Sequence, residues 1–387
     1  MDRRTFIYTT ALGTLQIGLG GMPVRAAQTG RNSLKIDVQA PSMPQSPLGM
    51  PGLFPGRVVE AVHSRSLVNG RVSQPAVAEM VDRGMQALTG DSSARDAWAR
   101  LFEPSDIVAL KVNPSGTHWT VTSMPLVREV IRALNAVGLP NRNIIVYDRN
   151  SNQLEVNGYH ALVPPGIRVV GLDRRWAVGQ DTRSGYDPNV FCEMDCFGER
   201  ETRSYLATVV VRDANKIINL PTLKEHNASG VTGCLKNLAY GSFNNVARTH
   251  VFPKTYTDPV ISVMCSVAPL RSKSVLHIMD GIRAVYHGGP FSWNPEFSWE
   301  ARTLLFGTDP VAVDRIELEI VEAKRREVGA PSLWDRNPAN LGTSDEMHTT
   351  AHKNRFYREP GHIKTASALG LGRWELDQID HRQLQVG

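Results

Sequence analysis

Asp106-Ile-Val-Ala-Leu-Lys-Val112 is followed by Asn113-Pro-Ser-Gly-Thr-His118, by the run Ser123 to Gly138, and by Asn143 to Tyr147-Asp148. These read as a strand, a loop, a helix and a second strand. The first run is short and apolar, as a strand buried on both faces must be. Ser123 stands where a helix cap is needed, Pro125 falls in the first turn, and Val127, Val130, Ile131 and Leu134 share one face. Gly138 supplies the stop. Two consecutive strands joined by a helix imply a parallel pair. This unit therefore predicts an α/β fold, a mostly parallel sheet with helices on both faces.

Working outward, residues 57–63 read as a strand, 75–88 and 94–102 as helices, and 166–171 as a third strand. Residues 172–202 are irregular and polar, the border of an insertion or second lobe spanning about 172–300. Helices are expected at 204–211, 231–240 and 259–269, and strands at 216–220, 274–279 and 304–306, with a loop over 221–230. Asp309-Pro310 opens a long helix, Asp as cap and Pro at its first position. The α/β domain is thus expected over 57–372, preceded by a Pro/Gly-rich arm or linker at 28–56 and followed by a tail at 373–387.

The chain has 387 residues, 41% hydrophobic and 21% charged, which excludes a disordered chain, a collagen-like fibre and a coiled coil. The net charge of +5 is dispersed, with no run of five like charges, so no nucleic-acid partner is expected. No apolar run reaches the ~18 residues of a spanning helix, so the mature protein is expected to lack a membrane span. Four cysteines exclude a disulfide scaffold; Cys192 and Cys196 are compatible with one disulfide or with two thiols.

The N-terminus begins Met1-Asp2-Arg3-Arg4-Thr5-Phe6-Ile7, then turns mildly apolar and ends in small residues near Ala26 and Ala27. An arginine pair with this sequel is a twin-arginine signal peptide, expected over 1–27. Its implications are the twin-arginine export machinery as partner and a bacterial periplasmic destination. Cleavage after Ala26 removes three arginines and one aspartate, taking the charge from +5 to +3.

In open α/β sheets ligands sit beyond the carboxyl ends of the strands. This picks out Lys111, Asn113, His118, Asp148, Arg149 and Asp280. The richest such stretch is Asn219-Leu-Pro-Thr-Leu-Lys-Glu-His-Asn-Ala-Ser-Gly-Val-Thr-Gly-Cys-Leu-Lys-Asn237. Lys224 and His226 are expected in its loop. Gly230, Thr232 and Gly233 bring backbone amides to a helix start, a natural anion site. Lys236 lies one turn in, and Asn237 is placed to orient the ligand. An imidazole, two ammonium groups and free amides suit a small anion with acid–base chemistry beside it. His250, in a polar loop, is a further acid–base or ligand candidate.

The run N-L-P-x-L-K-x-H-x-x-x-G-V-T-G-x-L-K-N resembles the signature of the family known as domain of unknown function 362. Lys111-Val-Asn-Pro114, Asp280-Gly281-Ile282 with Gly289-Pro290, Asp309-Pro-Val-Ala-Val-Asp314 and Ala368-Leu-Gly-Leu-Gly372 agree with it. The likeness spans about residues 57–372. A more distant resemblance is to the nickel-pincer lactate racemases, which place a lysine ten positions after a histidine with a Gly-rich turn between. His226 and Lys236 keep that spacing. The resemblance implies His226 as acid or base, Lys236 as anchor of a metal-pincer cofactor, and a racemase- or isomerase-like site. The second histidine of that family has no counterpart after the corresponding strand, where Asp148-Arg149-Asn150 stands; Gly116-Thr117-His118 follows a different strand.

Three functions follow as expectations: an exported enzyme acting on a small anionic substrate or through a metal ion or metal-pincer cofactor, with His226, Lys236 and His250 catalytic; a non-catalytic periplasmic binder of a metal or anion; and an accessory protein to an envelope redox system.

Overall fold

A computed structural model describes residues 2–8, 16–17, 34–116, 119–173 and 185–387. The main sheet is built from β1 (Arg57–Val62), β2 (Val108–Lys111), β3 (Ile144–Asn150), β4 (Arg168–Asp173), β5 (Lys216–Asn219), β6 (Thr222–His226), β7 (Ser274–Val285), β8 (Thr303–Gly307) and β9 (Asp380–Gln385). They line up in the order β9-β1-β8-β7-β5-β2-β3-β4, with β6 on the far end of β7. From β7 to β4 the pairing is parallel, and β8 runs antiparallel between β7 and β1. The α/β expectation holds.

Strand alternation explains why both faces are covered. Val108, Leu110, Ile144, Val146 and Ile218 enter one core, with helices α1 (Gln74–Thr89) and α2 (Met124–Ala136). Ala109, Ile145, Tyr147 and Ile217 enter the other. That second face is covered by α3 (Gly233–Ser242), Thr257–Ser266, α4 (Pro310–Glu327) and His362–Ala368. Asp309 caps α4 as expected, its carboxylate accepting from the Ala312 amide at 2.9 Å.

Several segments differ from their sequence reading. Within 28–56, Leu34–Ala40 is a strand whose Leu34, Ile36, Val38 and Ala40 point into the core. It pairs antiparallel with Tyr186–Met194, in the segment read as irregular, and with Asp2–Tyr8. The rest of the expected signal peptide, apart from Gln16–Ile17, lies outside the described residues. Residues 204–211 are not one helix: a strand, Arg203–Ala207, precedes a short π-helical turn. The segment 172–300 supplies the central strands β5 and β7 of the main sheet, and its Tyr186–Met194 and Arg203–Ala207 belong to a second sheet. All four cysteines are buried free thiols. Among the described residues no helix is long and apolar enough to cross a membrane.

The loop expected at 221–230 contains β6. Pro221 has no N–H to give a ladder, so the chain breaks there, but its carbonyl accepts from the Asp280 amide at 2.8 Å. The chain then resumes as β6, parallel to the outer half of β7. Finally, the tail at 373–387 carries β9, parallel to β1 from Asp380↔Arg57 to Gln385↔Val62. The Glu60 carboxylate takes hydrogen bonds from His381 and Gln383, each at 2.9 Å.

Deleting residues 380–387 is expected to lower stability by on the order of 3 kcal/mol, from several ladder bonds each worth about 1 kcal/mol. Urea unfolding reads this as a lower midpoint; an unchanged midpoint would mean that β9 contributes nothing.

Candidate functional site

A cavity of about 270 Å³ opens where β2, β3 and β6 end and α3 begins. Lys111, Asn113, Asp148, Lys224, His226, Thr232, Lys236, Asn237 and His250 all line it. Nine of the twelve expected site residues thus converge, though they come from β2, β3, β6, α3, the short strand His250–Val251 and the loops beside them.

An amide network fixes the floor. Asn237 Oδ1 accepts from Lys111 Nζ and from Asn113 Nδ2, each at 3.0 Å, while Asn237 Nδ2 donates to Asn219 Oδ1 at 2.8 Å. Lys111 Nζ also donates to Asp148 Oδ2 at 3.1 Å and to the Val112 carbonyl at 2.6 Å. Lys224 Nζ donates to Asn113 Oδ1 at 2.9 Å and to the Ser115 and Thr120 carbonyls. Both lysines are therefore fixed in direction. Burial pushes Lys111 below the usual lysine range, opposed by Asp148. Burial pushes Lys224 down to about 7.

Lys236 is different. It makes no hydrogen bond or ion pair among the described residues, and its amine lies 5.1 Å from the centre of the Tyr240 ring. Burial first, then the Lys224, Arg149 and Lys111 cations, push it well below the usual lysine range.

The two histidines hold opposite tautomers. The backbone amides of Ala228 and Ser229 donate to His226 Nδ1 at 3.1 and 3.3 Å. An amide can only donate, so Nδ1 carries a lone pair and the neutral ring bears its proton on Nε2. His226 consequently presents a donor to the cavity. Burial, then Lys236 and His250, keep it well below the ordinary histidine range and hence neutral. At His250 the logic reverses. The Thr249 hydroxyl donates to the Val246 carbonyl at 2.8 Å, so its oxygen accepts from His250 Nδ1 at 3.1 Å. That leaves His250 Nε2 as an acceptor. Burial, then Lys236, lower His250 to about 3. The ring centres are 5.6 Å apart.

Three expected residues lie elsewhere. Gly230 packs on Pro360, and Gly233, at φ +57°, sits against the Asp314 carboxylate, where a Cβ would collide. Asp314 accepts from the amides of Cys234 and Leu235, so the free amides expected at the start of α3 are already capped by this carboxylate from α4. Glu317, one turn further along α4, accepts from the Lys224 amide at 3.0 Å, and burial beside Asp314 keeps its carboxyl well above the usual range. Asp280 accepts from the Ser123 amide at 2.9 Å and the Ile282 amide at 3.2 Å, so it caps α2 rather than facing the ligand. Thr117 and His118 lie outside the described residues.

Arg149, which the strand-end rule picks out beside Asp148, lines the cavity too. Sequence reasoning passed over Tyr240, Gly241, Phe291 and Phe356, which also line it. Phe356 had no signal: it arrives from a distant loop. Gly241 matters by absence of bulk, because a Cβ there would overlap Lys111 Cε and Nζ.

Among the described residues no three His, Cys, Asp or Glu side chains come together to hold a metal ion. The position that the racemase resemblance assigns to a cofactor anchor, Lys236, does face the cavity, but the strand end that should carry the second histidine holds Asp148, Arg149 and Asn150.

Gly241→Ala is expected to displace the Lys111 ammonium and destabilise the fold by about 1–3 kcal/mol, the cost of overpacking. Chemical denaturation measures this; a wild-type midpoint would mean that Lys111 does not need the space.

The sequence model of a family described as Domain of unknown function (DUF362) matches residues 108–319, from the start of β2 into α4. Among curated proteins and among solved structures, none matches the chain.

Proposed function

The chain belongs to the family of that description, and from this premise we propose that it is an enzyme acting on a small anionic substrate held in the cavity at the sheet's carboxyl edge. One observation carries the reading: among the described lining residues the cationic side chains of Lys111, Lys224 and Arg149 meet Asp148 as the only lining carboxylate, with Asp173 behind Arg149 at 3.9 Å. Such an excess of cations, in a cavity of about 270 Å³, selects a small carboxylate or phosphate. Lys111 and Lys224, fixed by their acceptors, supply a preorganised positive floor. His226, kept neutral by burial with its proton on Nε2, donates a hydrogen bond to a developing oxyanion. His250 Nε2 is the acceptor on the opposite side. The Arg3-Arg4 pattern at the N-terminus supports a bacterial periplasmic location for this activity, with the twin-arginine export machinery as the route.

Thermal unfolding of the full chain in the presence of glyoxylate, lactate, malonate or phosphate tests the proposal. At least one anion is expected to raise Tm, with about 2.7 kcal/mol of stabilisation at a hundred times its Kd. Arg149→Gln is expected to weaken that protection. Proton magnetic resonance in heavy water then follows conversion of the protecting anion, expected to be lost in His250→Ala. Protection by no anion sinks the reading; protection without conversion leaves only a binder.

The pH dependence has two opposite signs. Lys224 titrates near 7 when folded and near 10.5 when unfolded, so between those values the unfolded chain binds more protons. The Lys224 contribution to stability therefore rises with pH across that window in the unliganded protein. Anion binding needs the charged form, so affinity is expected to fall by up to about ten-fold per pH step above about 7. Calorimetry in buffers of different ionisation enthalpy checks both, and expects net proton uptake on binding.

A further inference from the structure

Resting on the anion-binding reading above, we infer that Lys236 is a nucleophile that forms an imine with a small oxo acid. Three cavity lysines differ in one respect. Lys111 and Lys224 each spend their N–H groups on three oxygens, whereas Lys236 has no acceptor among the described residues. Its amine borders the cavity beside the face of Tyr240. A lysine acts as a nucleophile only as the free amine, and burial among neighbouring cations favours that form. Lys224, Lys111 and Arg149 are those neighbours.

The remaining groups match the needs of the addition. The carboxylate of an oxo acid meets Arg149 and the fixed lysines. Its carbonyl oxygen accepts from His226 Nε2–H, which polarises the carbon. The Lys236 lone pair forms the C–N bond as the carbonyl π pair moves onto oxygen. Two protons leave nitrogen and finish on that oxygen, the first relayed by His250 Nε2. Water departs, and the imine remains. No electrons enter or leave, so no oxidant or reductant is required. Imine formation makes the adjacent carbon acidic, which suits the same acceptor, His250.

The experiment incubates the full chain with glyoxylate and sodium cyanoborohydride, which reduces an imine to a stable secondary amine. Intact mass and peptide mapping then locate the adduct, while thermal unfolding with glyoxylate alone reports binding. The expected result is a single carboxymethyl adduct on Lys236, formed at least about ten-fold faster than at any exposed lysine, because one step in pKa changes the free-amine share about ten-fold, and absent from Lys111 and Lys224, whose N–H groups are held by oxygens. Lys236→Met is expected to abolish it while glyoxylate still raises Tm. Thermal protection without an adduct at Lys236, or adducts spread evenly over the lysines, overturns this inference and leaves the anion site standing. Neither protection nor adduct overturns both.

Discussion

Everything in the site depends on giving two amino groups directions after they have left water. A buried ammonium costs several kcal/mol unless oxygen atoms surround it. The side-chain amide of Asn237 answers this for two elements at once. Its oxygen takes Lys111 and Asn113, and its nitrogen gives to Asn219. Asn113 in turn holds Lys224. One residue on α3 therefore ties together the ends of β2 and β5 and, through Asn113, the lysine of β6. An aspartate at that position would lose the donor, and a leucine would take one of three acceptors from Lys111 and leave Asn113 Nδ2 without its acceptor.

The same helix is held from its other side. Asp314 occupies the first amides of α3 and Glu317 the backbone of β6, so α4 fixes the height at which both meet the cavity. Two buried carboxyls one turn apart cannot both ionise cheaply. Asp314, with two amide donors and a pKa near 7, takes the charge, and Glu317 stays protonated. What looked in the sequence like an open anion site at a helix start is thus a closed one. The cations of the cavity lie on the helix flank instead.

The sequence was legible where local chemistry and global fold agree. The βαβ unit around Lys111 and Asp148 is an example, since strand, cap, helix face and stop all point one way. The convergence of Lys224, His226 and Lys236 was legible from their place after β5. Less legible were elements whose signals conflict. Leu34-Lys-Ile-Asp-Val-Gln-Ala40 alternates cleanly, but the prolines after it suggested an arm. Tyr186–Met194 contains Pro188 and a register shift, which mask its alternation. Pro221 made β6 look like loop. Tautomers were not legible at all: they follow from which backbone amides and hydroxyls fold against each ring.

The place of β1 has a consequence for synthesis. Both its neighbours, β8 and β9, come from the last quarter of the chain, residues 303–307 and 380–385. Until residues 303–307 have been made, Arg57–Val62 has no partner on either side. That end of the sheet cannot close before residues 380–385 follow, so termination ahead of them leaves a bare strand edge, the surface most prone to aggregate.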